Sequence, residues 1–555
     1  MSVLEKSTAS RALAAAAARG HKLSGQRLAG LVATAFVGLM LAVHLRNRGH
    51  VFDIQFADET IYLLYGISSP TPMTSYEGNG LYLLWYRGLS AFIRDPVDLY
   101  LWGGLILMVG CAVAVYLSLH LVSRLPLYAA LAATLLVFSG TLTVWPRISL
   151  AAVVVLAAGL SCVHLAEALF AKAGILVLTA FLATFVRPEF VVSFYLAAAL
   201  AIALSGREII RAIRAGRPGF ALHAAAVPGW LALATTVTLI ALWSFPVLND
   251  RGRAFMAFGM NYALRYVETN HLDINPWWNY REIMDVSFPG AQSLADVFSI
   301  APRTALGALR DNAIDLLKAL GAYFTEALGT YRLVSRMTAR IAIALILIAC
   351  VIQVGYRRVR RPGPIRERPI VAARRSWPTA VAAAILMLPP LISCVLTYPR
   401  THYVVLVLYP LLVCCGCALR RFDVGAYPSP IATAFAAAGL LLVTPVLPRV
   451  PQPNVQTVAA LRAVPGIKVL LEFDLGWCAY YLPPCRHAWP NVSGDETLEQ
   501  LIAQNNPDAI LMSPAMGVIR RIAAEPLYRD LRTRPTELGY RVLPLPNGSL
   551  LLTKR

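Results

Sequence analysis

Residues 100–120 read "YLWGGLILMVGCAVAVYLSLH" and contain no Lys, Arg, Asp or Glu. A helix rises about 1.5 Å per residue, so a helix of this length crosses the roughly 30 Å hydrocarbon core of a bilayer. The 555-residue chain around it is 57% hydrophobic and 14% charged. Because soluble domains are about a quarter charged, this composition predicts an integral membrane protein.

Apolar runs of similar length recur along the chain, and together they predict an α-helical polytopic membrane protein with about eleven transmembrane helices. The runs 173–187 and 188–204 are short and meet at Arg187-Pro188, which predicts a broken or re-entrant pair. The predicted spans are 28–46, 100–120, 127–144, 150–170, 173–187, 188–204, 224–246, 340–356, 379–397, 403–419 and 430–447.

The distribution of cations predicts the orientation of these helices, because short cytoplasmic loops are rich in Lys and Arg. Basic residues concentrate in the N-terminal tail and at 206–219, 357–375 and 420–421, which alternating spans place on one side. We therefore expect a multi-pass protein of the cytoplasmic (inner) membrane, with its N-terminus inside and its C-terminus in the periplasm. The net charge of +20 follows from this asymmetry, and no nucleic-acid partner is predicted.

This topology divides the chain into three parts. Residues 1–27 form a cytoplasmic tail, and residues 28–447 form a transmembrane domain with long outer loops at 47–99 and 247–339. Residues 448–555 alternate strand-like segments such as "IKVLLEF" with helix-like segments such as "DETLEQLIAQNN". They predict a small extracytoplasmic α/β domain.

Two of the nine cysteines, Cys478 and Cys485, lie in that C-terminal domain, whereas the other seven lie in predicted spans. In an oxidising compartment the two are expected to form a disulfide. The alternative is a pair of free thiols.

An acid pair follows the first span, in "FADETIYLLYG" at 56–66, where Asp58 and Glu59 are adjacent. Carboxylates close to the hydrocarbon region are costly, and those that occur there usually have a function. The alternative for Asp58 is that it only caps a helix beginning near Thr60.

Four basic side chains fall at the outer ends of predicted spans, where the positive-inside rule does not expect them: Arg147, Arg187, Arg400 and His402. Each is expected to face a cavity or an anion, unless it forms a structural pair such as Arg187 with Glu189. Arginine binds phosphate oxygens through a bidentate fork. A nearby carboxylate can accept the proton of an attacking hydroxyl. The combination predicts transfer of a group from a membrane-anchored phosphate.

The segment "ADETIYLLYG" at 57–66 resembles the Asp-Glu signature in the first outer loop of the GT-C glycosyltransferases. These include protein O-mannosyltransferases, aminoarabinose transferases acting on lipid A, and arabinofuranosyltransferases of bacterial envelopes. "YEGNGLYLLWYRG" at 76–88, "VRPEF" at 186–190 and "YPRTHYVVLVLYPLL" at 398–412 are similar to further motifs of these proteins. The resemblance covers the membrane part, about 28–447, and implies a GT-C-like fold.

The resemblance implies a cavity at the outer leaflet that holds a polyprenyl-phosphate-linked sugar, with Asp58 as the general base. Glu59 is expected to orient the loop, hold a metal or pair with an arginine. Some members bind a divalent metal near this acid and others do not, so a metal beside Asp58 stays open and no other cofactor is expected. The expected donor-phosphate ligands are Arg400, His402, Tyr403, Arg147 and Arg187. The expected sugar or acceptor contacts are Glu77, Asn79, Trp277 and Trp278, of which the two tryptophans are alternatively interfacial anchors.

These features predict an inverting glycosyltransferase, of the arabinosyltransferase or mannosyltransferase kind, in cell-envelope biogenesis. It would move a sugar from a polyprenyl-phosphate donor to a glycan, lipid or protein acceptor at the outer membrane face. The alternative is a transporter or flippase for a lipid-linked sugar, which is expected to show inverted repeats. A sensor or assembly protein, in which the acid pair only neutralises arginines, is the third interpretation.

Overall fold

The computed structural model of the protein describes residues 27–47, 49–56, 58–68, 79–143, 145, 147–216, 219, 253–329, 336–360, 368–421, 429–474, 476–481, 485–488 and 496–554. Within them the chain is mostly helical, with one five-stranded sheet near the C-terminus. Glu77, the predicted span 224–246 and nearly all of the N-terminal tail lie outside the described residues.

As far as residue 442, the regular secondary structure of the described chain is all helical. Short 3-10 turns at Thr141–Thr143 and Pro188–Phe190 stand before α6 and α8. The helices are α1 (Arg27–His44), α2 (Asp58–Ser68), α3 (Gly80–Ser90), α4 (Pro96–Ser123), α5 (Pro126–Phe138), α6 (Ile148–Leu165), α7 (Leu169–Thr184), α8 (Val191–Arg214), α9 (Arg253–Asn270), α10 (Tyr280–Ser287), α11 (Leu294–Ile300), α12 (Pro302–Gly329), α13 (Arg336–Arg360), α14 (Arg368–Leu396), α15 (Thr401–Arg421) and α16 (Pro430–Leu442).

Six helical stretches of the described chain are long and apolar enough, by length and composition, to cross a membrane: Arg27–His44, Pro96–Ser123, Ile148–Leu165, Pro188–Arg211, Ser376–Leu396 and Thr401–Arg420. Four other predicted spans correspond to shorter apolar helices: Pro126–Phe138, Leu169–Thr184, Arg340–Gln353 and Pro430–Leu442. The protein is therefore a polytopic, membrane-embedded helical protein. The predicted number of eleven spans is not supported.

Fewer helices of the described chain reach spanning length than predicted, because a run of apolar residues does not show where a helix ends. The 127–144 run is helical only as far as Phe138, since Ser139 and Gly140 turn the chain and Gly140 has a φ of +72°. In the next predicted pair, α7 ends at Thr184, and Arg187 is extended with a φ of −139° because it precedes a proline. The break expected at Arg187-Pro188 is present.

Helix α4 packs against α5, α6 and α15. Its buried face combines small residues, such as Gly104 and Cys111, with large ones, such as Tyr100 and Tyr116. Close approach through small residues also joins α13 to α16, where a Cβ on Gly439 would lie 2.8 Å from the carbonyl oxygen of Ala342. Such contacts are the usual basis of helix packing in lipid, where water does not drive association.

The C-terminal domain is built on a mixed sheet with the strand order β2-β1-β3-β5-β4. Strand β1 pairs in parallel with β2 and β3, and β5 pairs antiparallel with β3 and β4. Its elements are α17 (Pro453–Arg462), β1 (Val469–Leu471), α18 (Trp477–Tyr481), β2 (Arg486–Ala488), α19 (Leu498–Asn505), β3 (Ala509–Met512), α20 (Pro514–Gly517), α21 (Arg520–Ala524), α22 (Pro526–Thr533), β4 (Tyr540–Pro544) and β5 (Leu550–Lys554). Leu471, Ile510 and Leu552 lie in its core.

This domain is docked on the end of the bundle where α4 and α6 begin. The amides of Asn454 and Val455 donate to the Asp53 carboxylate at 2.8 and 3.1 Å. Arg462 forms an ion pair of 2.7 Å with Asp95, which is the N-cap of α4. The first loop and the start of α4 are therefore held against α17.

Candidate functional site

The acid pair lies in the first turn of α2, and its second member, Glu59, is completely buried. Its carboxylate accepts hydrogen bonds from the hydroxyls of Tyr82 and Tyr86 and, at 2.8 Å, from the backbone N–H of Arg147. The two tyrosines are four residues apart on α3, so both lie on the helix face that meets α2. We call Glu59, Tyr82, Tyr86, Arg147 and Tyr100 the Glu59 network.

The guanidinium of Arg147 is buried inside this network. Its Nη1 donates to the carbonyl of Tyr100 at 2.9 Å, and the group lies 3.9 Å from the ring centroid of Phe52 and 4.3 Å from that of Tyr100. Gly104 leaves the space for it, because a Cβ there would lie 2.2 Å from Nη1. These contacts enclose the guanidinium of Arg147 between two aromatic rings and a backbone carbonyl.

Asp58, the first acid of the pair, is exposed. Successive residues of a helix point about 100° apart, so a buried Glu59 leaves its neighbour on a different face. The negative charge of Asp58 lies close enough to Arg400 to interact with its guanidinium. The pair is thus divided between an interior anchor and an accessible carboxylate.

Arg400 lies in the short connection between α14 and α15, and it is partly buried. Its guanidinium stacks on the ring of Trp277 at 4.2 Å from the centroid. Burial lowers the pKa of Arg400, while the charges of Tyr403 and Asp58 oppose that shift. An arginine keeps its charge under such a shift, so the group presents a cation beside Asp58.

Arg187 is the second cation of this region. It forms an ion pair of 2.8 Å with Glu189, as the sequence left open, and lies 4.6 Å from the ring centroid of Tyr403. Burial lowers the pKa of Arg187, but the electrostatic effects of Glu189, Tyr403 and Tyr62, with the hydrogen bond to Glu189, together outweigh burial, and the pKa is raised. Its positive charge also lowers the pKa of Arg400, so the two arginines are within electrostatic reach of each other. We call Asp58, Arg187, Trp277, Arg400 and Tyr403 the Arg400 cluster.

Three other predicted site residues have different positions. His402 is buried, with its ring 4.5 Å from that of Tyr403. Asn79 is buried at the start of α3, and its carboxamide oxygen has no hydrogen-bond partner within the described chain. Glu77 lies outside the described residues. The structure therefore brings His402 to the edge of the Arg400 cluster and leaves Asn79 in the interior.

The adjacent tryptophans contact two different parts of the protein. Trp277 lies against Arg400, whereas the ring of Trp278 lies 6.4 Å from that of Phe473 in the C-terminal domain. In the same loop the N–H of Asn275 donates to the carbonyl of Val518 at 3.2 Å. Both indoles are partly buried by these contacts, and the loop connects the Arg400 cluster to the C-terminal domain.

Several residues around the acid pair were not predicted. Tyr82 and Tyr86 had one usable signal, the four-residue spacing of tyrosines in "YLLWY". Phe56 and Thr60 flank Asp58 and contact Trp477 and Tyr480, respectively. The bond between Thr60 and Tyr480 joins residues 420 positions apart, so no local pattern could indicate it.

The residues around the acid pair do not fit a divalent metal held by both acids. The Glu59 oxygens already accept hydrogen bonds from Tyr82, Tyr86 and Arg147. Within the described residues, no group of three or more His, Cys, Asp or Glu side chains is arranged to hold a metal ion. The accessible acid, Asp58, interacts instead with the cation of Arg400.

Comparison with protein-family models, with curated proteins and with solved structures found no match. Membership of a family is therefore not shown by comparison.

Proposed function

We propose that this chain is a membrane-embedded glycosyltransferase that uses a polyprenyl-phosphate-linked sugar. The observation that carries the proposal is the division of the acid pair, with Glu59 buried as an anchor and Asp58 exposed beside Arg400. An accessible carboxylate next to a cluster of arginines suits a reaction in which a phosphate leaves and a hydroxyl is deprotonated.

In the proposed reaction the phosphate of the donor lies against Arg400, with Arg187 adding a second positive charge. Helix α15 begins at Thr401, so the positive end of its dipole lies at the same place. These charges stabilise the phosphate as the bond from its oxygen to the anomeric carbon breaks and the electron pair stays with that oxygen. No general acid is required for such a leaving group.

Asp58 would act on the acceptor. Its carboxylate accepts the proton of the acceptor hydroxyl while the hydroxyl oxygen forms a bond to the anomeric carbon. Attack from the face opposite the phosphate inverts the configuration of that carbon. The acceptor in this proposal is a glycan, lipid or protein of the envelope. The proposed orientation in the membrane places the C-terminal domain on the outside.

Glu59 and Arg147 would support this reaction without touching the substrates. Their hydrogen bonds hold α2 against α3 and the start of α6, which gives Asp58 a fixed position. A catalytic group held by a rigid surrounding shell needs little reorganisation during the reaction.

The test is transfer of radiolabelled sugar from polyprenyl-phosphate donors in membranes containing the full chain. Loss of a general base typically lowers the rate by about 10²–10⁴-fold, so Asp58→Asn should nearly abolish transfer while donor binding persists. Asp98→Asn removes another exposed carboxylate, in the first turn of α4, and should leave transfer unchanged.

Near-wild-type transfer by Asp58→Asn would show that Asp58 serves only the first turn of α2, where its charge faces the positive end of the helix dipole. A transporter would move the donor across the membrane with its label still on the lipid. Recovery of all label in the donor lipid, at every acceptor supplied, would therefore contradict the proposed transferase.

A further inference from the structure

The disulfide-containing segment of the C-terminal domain packs directly on the helix that carries the acid pair. The ring of Trp477 lies 4.0 Å from that of Phe56, and the hydroxyl of Tyr480 lies 2.8 Å from that of Thr60. Phe56 and Thr60 are each two residues from Asp58. The segment therefore contacts the chain on both sides of the proposed base.

This contact extends to the backbone at Gly476. A Cβ at this position would lie 2.2 Å from the Cγ2 of Thr60. The residue also has a φ of +140°, a backbone conformation that residues other than glycine rarely adopt. Glycine at 476 thus allows the C-terminal domain to approach α2 without a gap.

The segment is in turn held from inside its own domain. The buried carboxylate of Glu472 accepts hydrogen bonds from the N–H groups of Gly476 and Trp477 at 3.0 and 2.9 Å. Arg462 donates to the carbonyl of Tyr480 at 2.8 Å. These bonds fix the start and the end of α18.

The disulfide adds the covalent connection. Cys478 in α18 is bonded to Cys485, which stands directly before β2, with their Cα atoms 5.3 Å apart. Helix α18 has only five residues, and an isolated helix of that length is unstable in water. The disulfide is therefore a covalent constraint on α18, in addition to the hydrogen bonds at its two ends.

We infer that α18 with its disulfide positions α2, the helix that carries the proposed base. How well ordered α2 is therefore depends on the redox state of Cys478 and Cys485. A dithiol reductant supplies two electrons and two protons, leaves two thiols and itself becomes a disulfide. With the bond open, α18 is released from β2, and the contacts of Trp477 and Tyr480 with α2 weaken. This inference rests on the proposed function for the role of Asp58, but its structural part does not.

Hydrogen exchange of the full chain, followed by mass spectrometry, tests the structural part. Amides of α2 should exchange about tenfold faster or more after reduction, and in Cys478→Ala/Cys485→Ala, than in the oxidised protein. Exchange in α16, which packs against α13 and α5, should not change. Alkylation must confirm that both thiols are free.

Gly476→Ala and Gly466→Ala provide a matched pair that leaves the disulfide intact. Both glycines have positive φ, +140° and +86°, but only at Gly476 would an added Cβ meet other atoms within 4 Å, chiefly the side chain of Thr60. Gly476→Ala should accelerate exchange in α2, and Gly466→Ala should leave it at the wild-type rate. Unchanged α2 exchange in the reduced protein, or acceleration spread equally over α2 and α16, would overturn the inference.

The functional part is read from transfer kinetics. Reduction should lower kcat about tenfold and leave the KM for the donor lipid unchanged, because Arg187, Arg400 and Tyr403 lie outside α2 and keep their own contacts. A change in KM alone would contradict a role in positioning Asp58. If the oxidised wild-type protein transfers no sugar at all, the proposed function fails, whereas the exchange experiment still decides whether α18 positions α2.

Discussion

Asp58 and Glu59 show how two identical charges, one residue apart, acquire different roles. Glu59 accepts three hydrogen bonds within the bundle and is inaccessible, while Asp58 is exposed and interacts with Arg400. A buried carboxylate without those donors would be strongly unfavourable. The positions of these hydrogen-bond donors therefore determine which of the two acids is buried and which stays accessible.

Arg400 is the residue on which donor binding should depend most. Arg400→Lys keeps the positive charge but loses both the bidentate fork and the planar stack on Trp277. We expect the KM for the polyprenyl-phosphate donor to rise about tenfold or more, measured with the transfer assay and by binding of radiolabelled lipid.

The matched control is Arg310→Lys, which changes an exposed arginine of α12 that pairs with Asp311. It should bind and use the donor as the wild type does. Equal donor affinity in Arg400→Lys and Arg310→Lys would remove Arg400 from the phosphate site.

Gly104 is predicted to be essential for the buried position of Arg147. Gly104→Ala places a methyl group where Nη1 would be 2.2 Å away, so the guanidinium must leave the Tyr100 carbonyl. We expect a loss of about 1–3 kcal/mol, visible as a lower melting temperature in detergent.

Gly110→Ala is the control on the same helix, since no atom lies within 4 Å of the added Cβ. It should melt at or slightly above the wild-type temperature, because alanine favours the helix. Equal melting temperatures of the two variants would show that Arg147 moves aside without a loss of stability.

At the scale of elements, the parallel strands of the C-terminal domain bring polar residues to one edge of the sheet. Asp474 follows β1 and Ser513 follows β3, and the Ser513 hydroxyl donates to the Asp474 carboxylate at 3.0 Å. The indole N–H of Trp477, at the start of α18, donates to the other oxygen at 2.9 Å. This edge therefore supports the segment that contacts α2.

The same carboxyl group makes the edge sensitive to pH. Burial raises the pKa of Asp474 to about 6. Between about pH 4 and pH 6 the native state then retains a proton that the unfolded state has released, so the free energy of unfolding falls as pH rises. The loss is complete above the folded pKa and amounts to at most about 3 kcal/mol.

Protection factors of the β1 and β3 amides, corrected for intrinsic exchange, should be larger at about pH 4.5 than at about pH 7 in the wild type. Asp474→Asn does not titrate but can still accept a hydrogen bond, so the difference between the two pH values should shrink. The same pH difference in both proteins would assign it to other groups.

At the scale of the whole molecule, the two ends of the bundle differ in the charged residues that they carry. At the end opposite the C-terminal domain, Lys172 donates to the carbonyl of Val163 at 2.7 Å and Arg420 to that of Val122 at 3.2 Å. These carbonyls belong to the last turns of α6 and α4, where the negative end of the helix dipole also stabilises a cation. The acid pair and the Arg400 cluster lie at the other end.

This polarity leads to a test of orientation. We expect the end with Lys172 and Arg420 to face the cytoplasm. A membrane-impermeant maleimide should label Glu537→Cys, an exposed position of the C-terminal domain, in intact cells. Ala215→Cys, exposed just after α8, should be labelled only after the cells are opened.

Labelling is measured against the wild-type background, because native cysteines are present. The reverse pattern would place the C-terminal domain and the Arg400 cluster in the cytoplasm. It would contradict both the orientation and a reaction at the outer face.

Local properties of the sequence were sufficient for much of the architecture. Apolar composition determined that the protein is membrane-embedded, and Pro188 determined the break before α8, because both effects act within a few residues. The strand and helix patterns after residue 448 indicated the sheet for the same reason. The number of spans was not determined, since helix ends depend on turns such as Ser139-Gly140.

The arrangement of the site depended on the tertiary structure. Only the packed bundle decided that Arg147 is enclosed by Phe52 and Tyr100, and that the charge of Arg187 acts on Arg400. Only the docked C-terminal domain places Tyr480 against Thr60. The physical reason is that burial and charge interactions depend on distance in space, and these partners are brought together by the folding of segments far apart in the chain.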